Sequence, residues 1–182
     1  GCPAEEIESR LQSVPVSPGD MAVKGAVAAF RAMLARLRMD VPTVMNEARV
    51  ALEVLPESFA FLRSLAAHDL GIASLMRGDI AAAERAFDEV ARQNSRTGNA
   101  MMAVSALANL AGLYVSQGRL REAEPVYRRA LQLASDDQGR YLPVASKALL
   151  GLGELAREWN DLDLAAQHFD ECVRLFKLYA EA

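Results

Sequence analysis

Residues 117–127 read QGRLREAEPVY, and two other stretches of the chain repeat this pattern. RGDIAAAERAF occupies residues 77–87 and WNDLDLAAQHF occupies residues 159–169, so the three copies are spaced 40 and 42 residues apart. A fainter copy, RMDVPTVMNEA, lies at residues 38–48. Self-similarity at a fixed period of this length is typical of proteins built from stacked structural repeats. The sequence therefore predicts a repeat architecture.

Each of the three clear copies combines a turn residue with small and aromatic residues at fixed spacing. The turn residues are Gly78, Gly118 and Asn160, the two residue types that most readily end a helix in a left-handed conformation. The small and aromatic positions that follow are Ala83, Ala123 and Ala165, then Phe87, Tyr127 and Phe169, with Gly71, Ala111 and Gly153 matched upstream. We expect antiparallel helix pairs that approach closely at the small residues, with the aromatic rings between neighbouring pairs.

Helix boundaries follow from the turn residues and the prolines. The predicted pairs are 20–38 with 42–54, 58–77 with 80–95, 99–117 with 120–135, and 141–159 with 162–180. Asp79 and Asp161 are suited to cap their helices, whereas Arg119 is not. Pro125 is expected in a first helical turn, where its missing N–H does little harm. The predicted domains are an N-terminal helix and linker over residues 1–19 and a single helical-repeat domain of about four pairs over residues 20–182.

The composition argues against several functional classes. The 182 residues are 52% hydrophobic but only 6% aromatic, which suits close-packed Ala- and Leu-rich helices. The net charge of −4 argues against direct nucleic-acid contact, since nucleic-acid-binding domains carry a basic excess. The chain has no apolar run long enough for a membrane span, and Cys2 and Cys172 form no disulfide framework. We expect a cytoplasmic protein with no membrane contact.

The repeat pattern resembles the tetratricopeptide repeat (TPR). In the third helix pair, the positions that carry the resemblance are Leu110, Ala111, Tyr114, Gly118, Leu120, Ala123, Tyr127 and Ala130. The spacing here exceeds the usual repeat of about 34 residues, which indicates longer helices or links. The fold that this resemblance implies is all-α, with TPR-like antiparallel hairpins in a right-handed superhelix, the α–α superhelix class.

A narrower resemblance covers most of the chain, from about residue 19 to residue 182. Its elements are LPE at 55–57, GD at 78–79, TGN at 97–99, QGRLREAE at 117–124 and EWNDLDLAAQHF at 158–169. Together they resemble the helical-repeat region of MalT-type, LuxR-family transcriptional activators, which also carry an ATPase module and a C-terminal helix-turn-helix. The resemblance implies a segment that senses a small-molecule inducer or a regulatory protein. The alternative is a stand-alone TPR scaffold that binds a peptide or a partner protein.

Two features of these activators are missing from this sequence. It contains no GxxxxGK[ST] phosphate loop and no basic recognition helix. If the parent protein binds ATP and DNA, those sites therefore lie outside these residues. No cofactor is expected in this segment.

Candidate ligand-binding residues come from the resemblance, because the first helix of each TPR-like pair lines the concave surface. The polar positions expected in this groove are His68, Asp69, Ser105, Asn109, Lys147, Glu154 and Arg157. Small and apolar residues lie among them, including Ile72, Ala108, Gly112 and Gly151. A half-apolar groove with scattered polar groups suits a small ligand or a peptide. The alternative interpretation is an ordinary hydrated surface.

Trp159, the single tryptophan, lies in the last turn of a predicted first helix. Its ring is expected to fold over the turn at residues 160–161 and pack on the next helix. In the alternatives, the ring stacks on a sugar or another ligand at the groove edge, or contacts a protein.

No catalytic or metal-binding constellation stands out. His168 and Cys172 are one helical turn apart, but Cys172 aligns with Val90 and Ala130 and is expected to be a buried core residue. Adjacent residues on a helix diverge, so His68 and Asp69 do not form a catalytic pair. The chain is not expected to be an enzyme or to hold a metal.

The last predicted helix carries more apolar residues than packing on its own partner requires. They are Leu164, Phe169, Val173, Leu175, Phe176, Leu178 and Tyr179. Repeat arrays need polar ends, because each hairpin buries a face on its neighbour. We expect a homodimer through this helix or the adjacent hairpin, with Phe176 and Tyr179 as contact candidates. In the alternatives, the N-terminal helix folds back over the apolar face or the face stays hydrated.

Overall fold

The computed structural model describes Ile7 and residues 20–180, with side chains through residue 178. These residues form eight α-helices and no strand: α1 Met21–Leu37, α2 Val41–Val54, α3 Ala60–Met76, α4 Ile80–Thr97, α5 Ala100–Ser116, α6 Leu120–Leu133, α7 Ser146–Glu158 and α8 Leu162–Ala180. The predicted N-terminal helix and linker lie outside the described residues apart from Ile7. Nearly all predicted helix ends are confirmed to within two residues, but α7 begins five residues late because Pro143–Ala145 forms a 3₁₀ turn.

The chain divides into two compact units between residues 86 and 87, within α4. In unit 1, α1 packs against α2, and α3 packs against both. Its central core is rich in alanine and comprises Ala28, Ala29, Ala32, Ala48, Ala51, Leu55 and Ala66. In unit 2, α5 pairs with α6 and α7 pairs with α8, while α7 also packs against α5 and α6. A single domain over residues 20–182 stays a prediction.

The turns inside the hairpins have the left-handed geometry that the repeat alignment predicts. The backbone φ angles are 77° at Gly78, 73° at Gly118 and 59° at Asn160. Met39, in the faint first copy, also has a φ of 59° although methionine disfavours this conformation. The same turn therefore occurs in all four copies, and the first copy adopts it without a favourable residue.

The capping predictions are also confirmed. Asp79 Oδ1 accepts a hydrogen bond from the Ala82 N–H at 3.0 Å, and Asp161 Oδ1 accepts one from the Leu164 N–H at 3.1 Å. The Arg119 side chain makes no cap hydrogen bond, and its guanidinium instead pairs with Glu122 at 2.7 Å.

The predicted position of Pro125 is wrong. Helix α6 begins at Leu120, so the proline is its sixth residue and lies inside the helix. The Pro125 nitrogen cannot donate to the carbonyl four residues earlier, so α6 lacks one hydrogen bond of its ladder.

Tyr127 on α6 contacts the first helices of two successive pairs. A β-carbon placed on Gly151 of α7 would lie 2.2 Å from the Tyr127 ring, and one on Gly112 of α5 would lie 3.6 Å from its hydroxyl. The ring therefore lies between neighbouring pairs, as predicted. Gly153 contacts an aromatic ring within its own hairpin, since a β-carbon there would lie 2.4 Å from Phe169.

Replacing Ala123 with leucine should destabilise unit 2. Ala123 is fully buried, and three additional heavy atoms have no space at this helix contact. We expect Ala123→Leu to lower the free energy of unfolding by about 1–3 kcal/mol, measured by urea denaturation. The exposed Ala166 on α8 is a matched control, and Ala166→Leu should leave the midpoint nearly unchanged. Equal midpoints for Ala123→Leu and the parent would contradict the repeat alignment.

Candidate functional site

Helices α5 and α7 present the predicted groove residues of unit 2, a surface called here the α5–α7 groove. Lys147 on α7 donates a hydrogen bond from Nζ to Oδ1 of Asn109 on α5. Two residues predicted to face one groove are thus brought into contact although 38 positions separate them. Ser105 is half-buried one turn before Asn109, and Lys147 is exposed.

The groove also contains a phenol and a carboxylate. The Tyr127 hydroxyl lies close to both glycines at the helix crossing, Gly112 and Gly151. Burial, with a smaller contribution from the negative charge of Glu154, raises the pKa of Tyr127 to about 12. The phenol therefore stays protonated and can donate a hydrogen bond at neutral pH. Glu154 itself is exposed, so the groove presents an ammonium, an amide and a carboxylate, with the Tyr127 phenol buried beneath them.

Arg157 and Trp159 lie toward the end of α7. Arg157 is exposed and approaches Glu158 at 3.5 Å. The Trp159 side chain is 45% exposed and borders a hollow of about 310 Å³ with residues 118–122, at the start of α6. In that hollow, the Arg119 guanidinium lies 4.0 Å from the centroid of the Tyr114 ring. Trp159 therefore lies beside the second helix of the preceding pair, with half of its surface open to solvent.

The two candidates in unit 1 have a different environment. Asp69 is fully buried, and its Oδ1 accepts a hydrogen bond from Arg36 Nε at 2.7 Å. Its Oδ2 has no hydrogen-bond partner among the described residues. His68 Nδ1 is 3.7 Å from the same carboxylate. The Asp69 carboxylate connects α3 to α1 and is not accessible to a ligand. Arg36 was not identified from the sequence, which gives no sign of a partner 33 residues away.

Cys172 is confirmed as a core residue. Its thiol is buried and donates to the Ser146 carbonyl at 3.3 Å, and burial raises the pKa of this thiol. Burial, together with the positive charge of Arg128, lowers the pKa of His168. Over the part of the chain that the structure describes, no group of three or more His, Cys, Asp or Glu residues could hold a metal ion.

Helix α8 exposes an apolar face, whereas the equivalent face of α6 is buried. Tyr127 and Leu131 on α6 and the C-cap residue Ala134 are all buried, and α7 packs against that helix. The 42-residue offset maps them onto Phe169, Val173 and Phe176 of α8. There, Val173 is 51% exposed and Phe176 is 61% exposed. The Tyr179 side chain lies outside the described residues.

Among the helices of residues 20–180, none is long and apolar enough to cross a membrane.

Comparison with known proteins identifies a family and a fold. Residues 25–181 match the family described as the MalT-like TPR region. Among curated proteins, no sequence matches the chain.

Several solved structures resemble the chain over 98% of its length. BtubC (BKLC) from P. vanneervenii aligns with a TM-score of 0.70 at 16% identity, over 72% of its own chain. The apo form of RapI aligns with a TM-score of 0.75 at 13% identity over 63% of its chain, and MamA aligns with 0.61 at 16% over 90%. At these identities the likeness concerns the fold alone. It confirms the predicted class, an all-α superhelix of TPR-like hairpins.

Proposed function

The chain belongs to the family of MalT-like TPR regions, and from this membership we propose that it is the sensor segment of a cytoplasmic, MalT-like LuxR-family transcriptional regulator. Its repeat fold is that of a protein-interaction scaffold, a class that is typically non-catalytic and uses extended concave surfaces for binding. In this role the chain recognises a small-molecule inducer or a regulatory protein.

The Lys147–Asn109 hydrogen bond at the α5–α7 groove is the observation that supports this proposal. The Lys147–Asn109 hydrogen bond joins the two first helices, and the Tyr127 hydroxyl lies between them. Near these groups the Leu150 side chain is 46% exposed. A few polar groups set among apolar and small residues resemble the lining of ligand sites. A ligand that replaces the Lys147–Asn109 hydrogen bond would alter the contact between successive hairpins, which gives a direct route from binding to conformation.

The reading frame around this segment tests the regulator assignment. We expect an upstream ATPase module with a GxxxxGK[ST] phosphate loop and a downstream helix-turn-helix. This segment itself is expected to make no direct nucleic-acid contact. A frame that encodes only helical repeats would contradict the regulator and favour the stand-alone scaffold.

The role of the groove is tested in the full-length regulator by measuring transcription from its target promoter. Lys147→Ala together with Asn109→Ala should abolish most of the induced response without lowering the protein level. Arg129→Ala is the control, because Arg129 is exposed on α6. Normal induction in the double variant would contradict a sensing role for the groove.

We also propose that the isolated segment assembles through α8. The face that includes Phe169, Val173 and Phe176 corresponds to the face of α6 that receives the next first helix. Exposed apolar patches of this kind mark interaction sites. A second copy of the chain would cover the face when no further repeat does so, and Tyr179 remains a contact candidate.

Phe176→Glu should convert a dimer into a monomer. A charge at the centre of the buried face would lose its hydration without gaining a partner. Light scattering at tens of micromolar should give twice the 19.7 kDa chain mass for the parent and the single mass for the variant. Gln167→Glu, on the opposite side of the helix, should remain dimeric. A parent that is monomeric, with a mass unchanged by Phe176→Glu, would contradict the proposal.

A further inference from the structure

Unit 1 contains a second concave surface, called here the α2–α3 hollow. It has a volume of about 520 Å³ and lies between the first turns of α2 and the end of α3. Its lining comprises Val41, Pro42, Met45, Asn46, Arg49, Met76 and Arg77. This surface is separate from the α5–α7 groove, which belongs to unit 2, and is independent of the proposed sensing role.

One side of the hollow is apolar and adaptable. Met45 is half-buried, and the Met76 side chain is 39% exposed. Methionine is flexible and polarisable, so it adjusts to apolar partners of different shapes. A hollow of this volume can accommodate one or two large apolar side chains.

The other side carries two arginines that have no carboxylate partner among the described residues. The Arg77 guanidinium donates a hydrogen bond from Nη1 to the Met45 sulfur at 3.2 Å. A thioether sulfur is a weak acceptor. Arg49 is exposed and makes no hydrogen bond or ion pair within residues 20–180. Five other arginines pair with a carboxylate three or four residues away, namely Arg92, Arg119, Arg128, Arg140 and Arg174. Exposed arginines without such a partner among the described residues also occur elsewhere, at Arg85, Arg96, Arg121 and Arg129, but Arg49 and Arg77 line the same hollow. The lining of the α2–α3 hollow therefore contains two positive charges and no carboxylate, in a chain of net charge −4.

We propose that the α2–α3 hollow docks an acidic peptide segment of a partner protein. A large apolar side chain enters beside Met45 and Met76, and flanking carboxylates pair with Arg49 and Arg77. The planar guanidinium matches a carboxylate with two parallel hydrogen bonds. An exposed ion pair alone contributes little, so the apolar anchor and the two charges must act together. The predicted binding is modest in affinity and weakens as salt increases.

The charge requirement is tested by fluorescence anisotropy with the full chain. The probe is a fluorescein-labelled peptide with a central Leu-Phe pair flanked by glutamates, and its matched control carries glutamine at each glutamate. We expect the acidic peptide to bind and the glutamine peptide to bind about tenfold more weakly. Arg49→Glu and Arg77→Glu should each weaken binding of the acidic peptide about fivefold or more. Arg129→Glu, an equal charge change on exposed α6 surface, should leave it unchanged.

The location is tested by methyl NMR on the methionines. Addition of the acidic peptide should shift the Met45 and Met76 methyl signals and leave Met101 and Met102, in unit 2, in place. The proposal fails if the two peptides bind with equal affinity. It also fails if the arginine variants bind the acidic peptide as tightly as the unmutated chain, or if only the Met101 and Met102 signals shift. If inorganic phosphate shifts Met45 and Met76 as strongly as the peptide at equal concentration, the hollow is a simple anion site and the peptide proposal fails. Arg49→Gln and Arg77→Gln serve as second variants if charge reversal impairs folding.

Discussion

Gly151→Leu should lower the free energy of unfolding of unit 2 by about 3 kcal/mol. Even a single β-carbon at this position would lie 2.2 Å from Cζ and 2.5 Å from Cε1 of Tyr127. The ring is buried between α5 and α7 and cannot move aside without opening a void elsewhere. Urea denaturation followed by the fluorescence of Trp159, the single tryptophan, reports on this unit directly.

A second glycine beside the same ring provides the control. A β-carbon on Gly112 would lie 3.6 Å from the Tyr127 hydroxyl, an ordinary contact distance. Gly112→Ala should therefore raise stability by about 0.5–1 kcal/mol, because alanine favours the helix more than glycine does. In a Tyr127→Ala background, Gly151→Leu should cost much less than in the parent. Destabilisation by Gly112→Ala as large as that by Gly151→Leu would contradict this contact geometry.

Arg36→Met should destabilise unit 1 by about 3 kcal/mol. The Asp69 carboxylate is fully buried and takes its strongest hydrogen bond from Arg36, at 2.7 Å. Removing the guanidinium leaves a buried charge with one oxygen already unpartnered and with His68 3.7 Å away. Methionine retains an apolar stem that reaches the position of Nε, so the loss reflects mainly the missing guanidinium. Thermal and urea unfolding followed by circular dichroism measure the effect.

The Asp69→Asn exchange separates the charge from the packing. In the Arg36→Met background it should restore much of the lost stability, since a neutral amide no longer needs the cation. Lys24→Met, at an exposed position on α1, controls for the loss of a positive charge and should change stability by less than about 0.5 kcal/mol. Equal midpoints for Arg36→Met and Lys24→Met would show that the ion pair contributes nothing.

The sequence alone predicted most of the local structure. The turn residues Gly78, Gly118 and Asn160, and the caps Asp79 and Asp161, placed the helix ends because turns and caps depend on residues a few positions apart. The repeat period then revealed which positions are equivalent in successive hairpins. The predicted position of Pro125 was wrong, since it lies inside α6, and Met39 adopts the left-handed turn of the repeat although its residue type disfavours it. In both, packing of the flanking helices outweighs the local preference.

The candidate site could be predicted only in part. Asn109 and Lys147 were assigned to one surface because they lie on equivalent helices, but their hydrogen bond depends on the spacing between α5 and α7. Asp69 has the same helical register as Asn109, and only the structure shows that Arg36 reaches it and that it is buried.

Tertiary structure alone decided the contacts between distant residues. The repeat alignment predicted a close helix contact at Gly153, but it did not predict that the Tyr127 ring packs on Gly151. It also gave no sign of the α2–α3 hollow, because Arg49 and Arg77 meet there only when α3 packs against α2. Helices and turns arise from interactions within a few residues. Ion pairs, close helix contacts and hollows depend instead on the distances between helices. A shift of one helix by a few ångströms would remove them without changing any helix or turn.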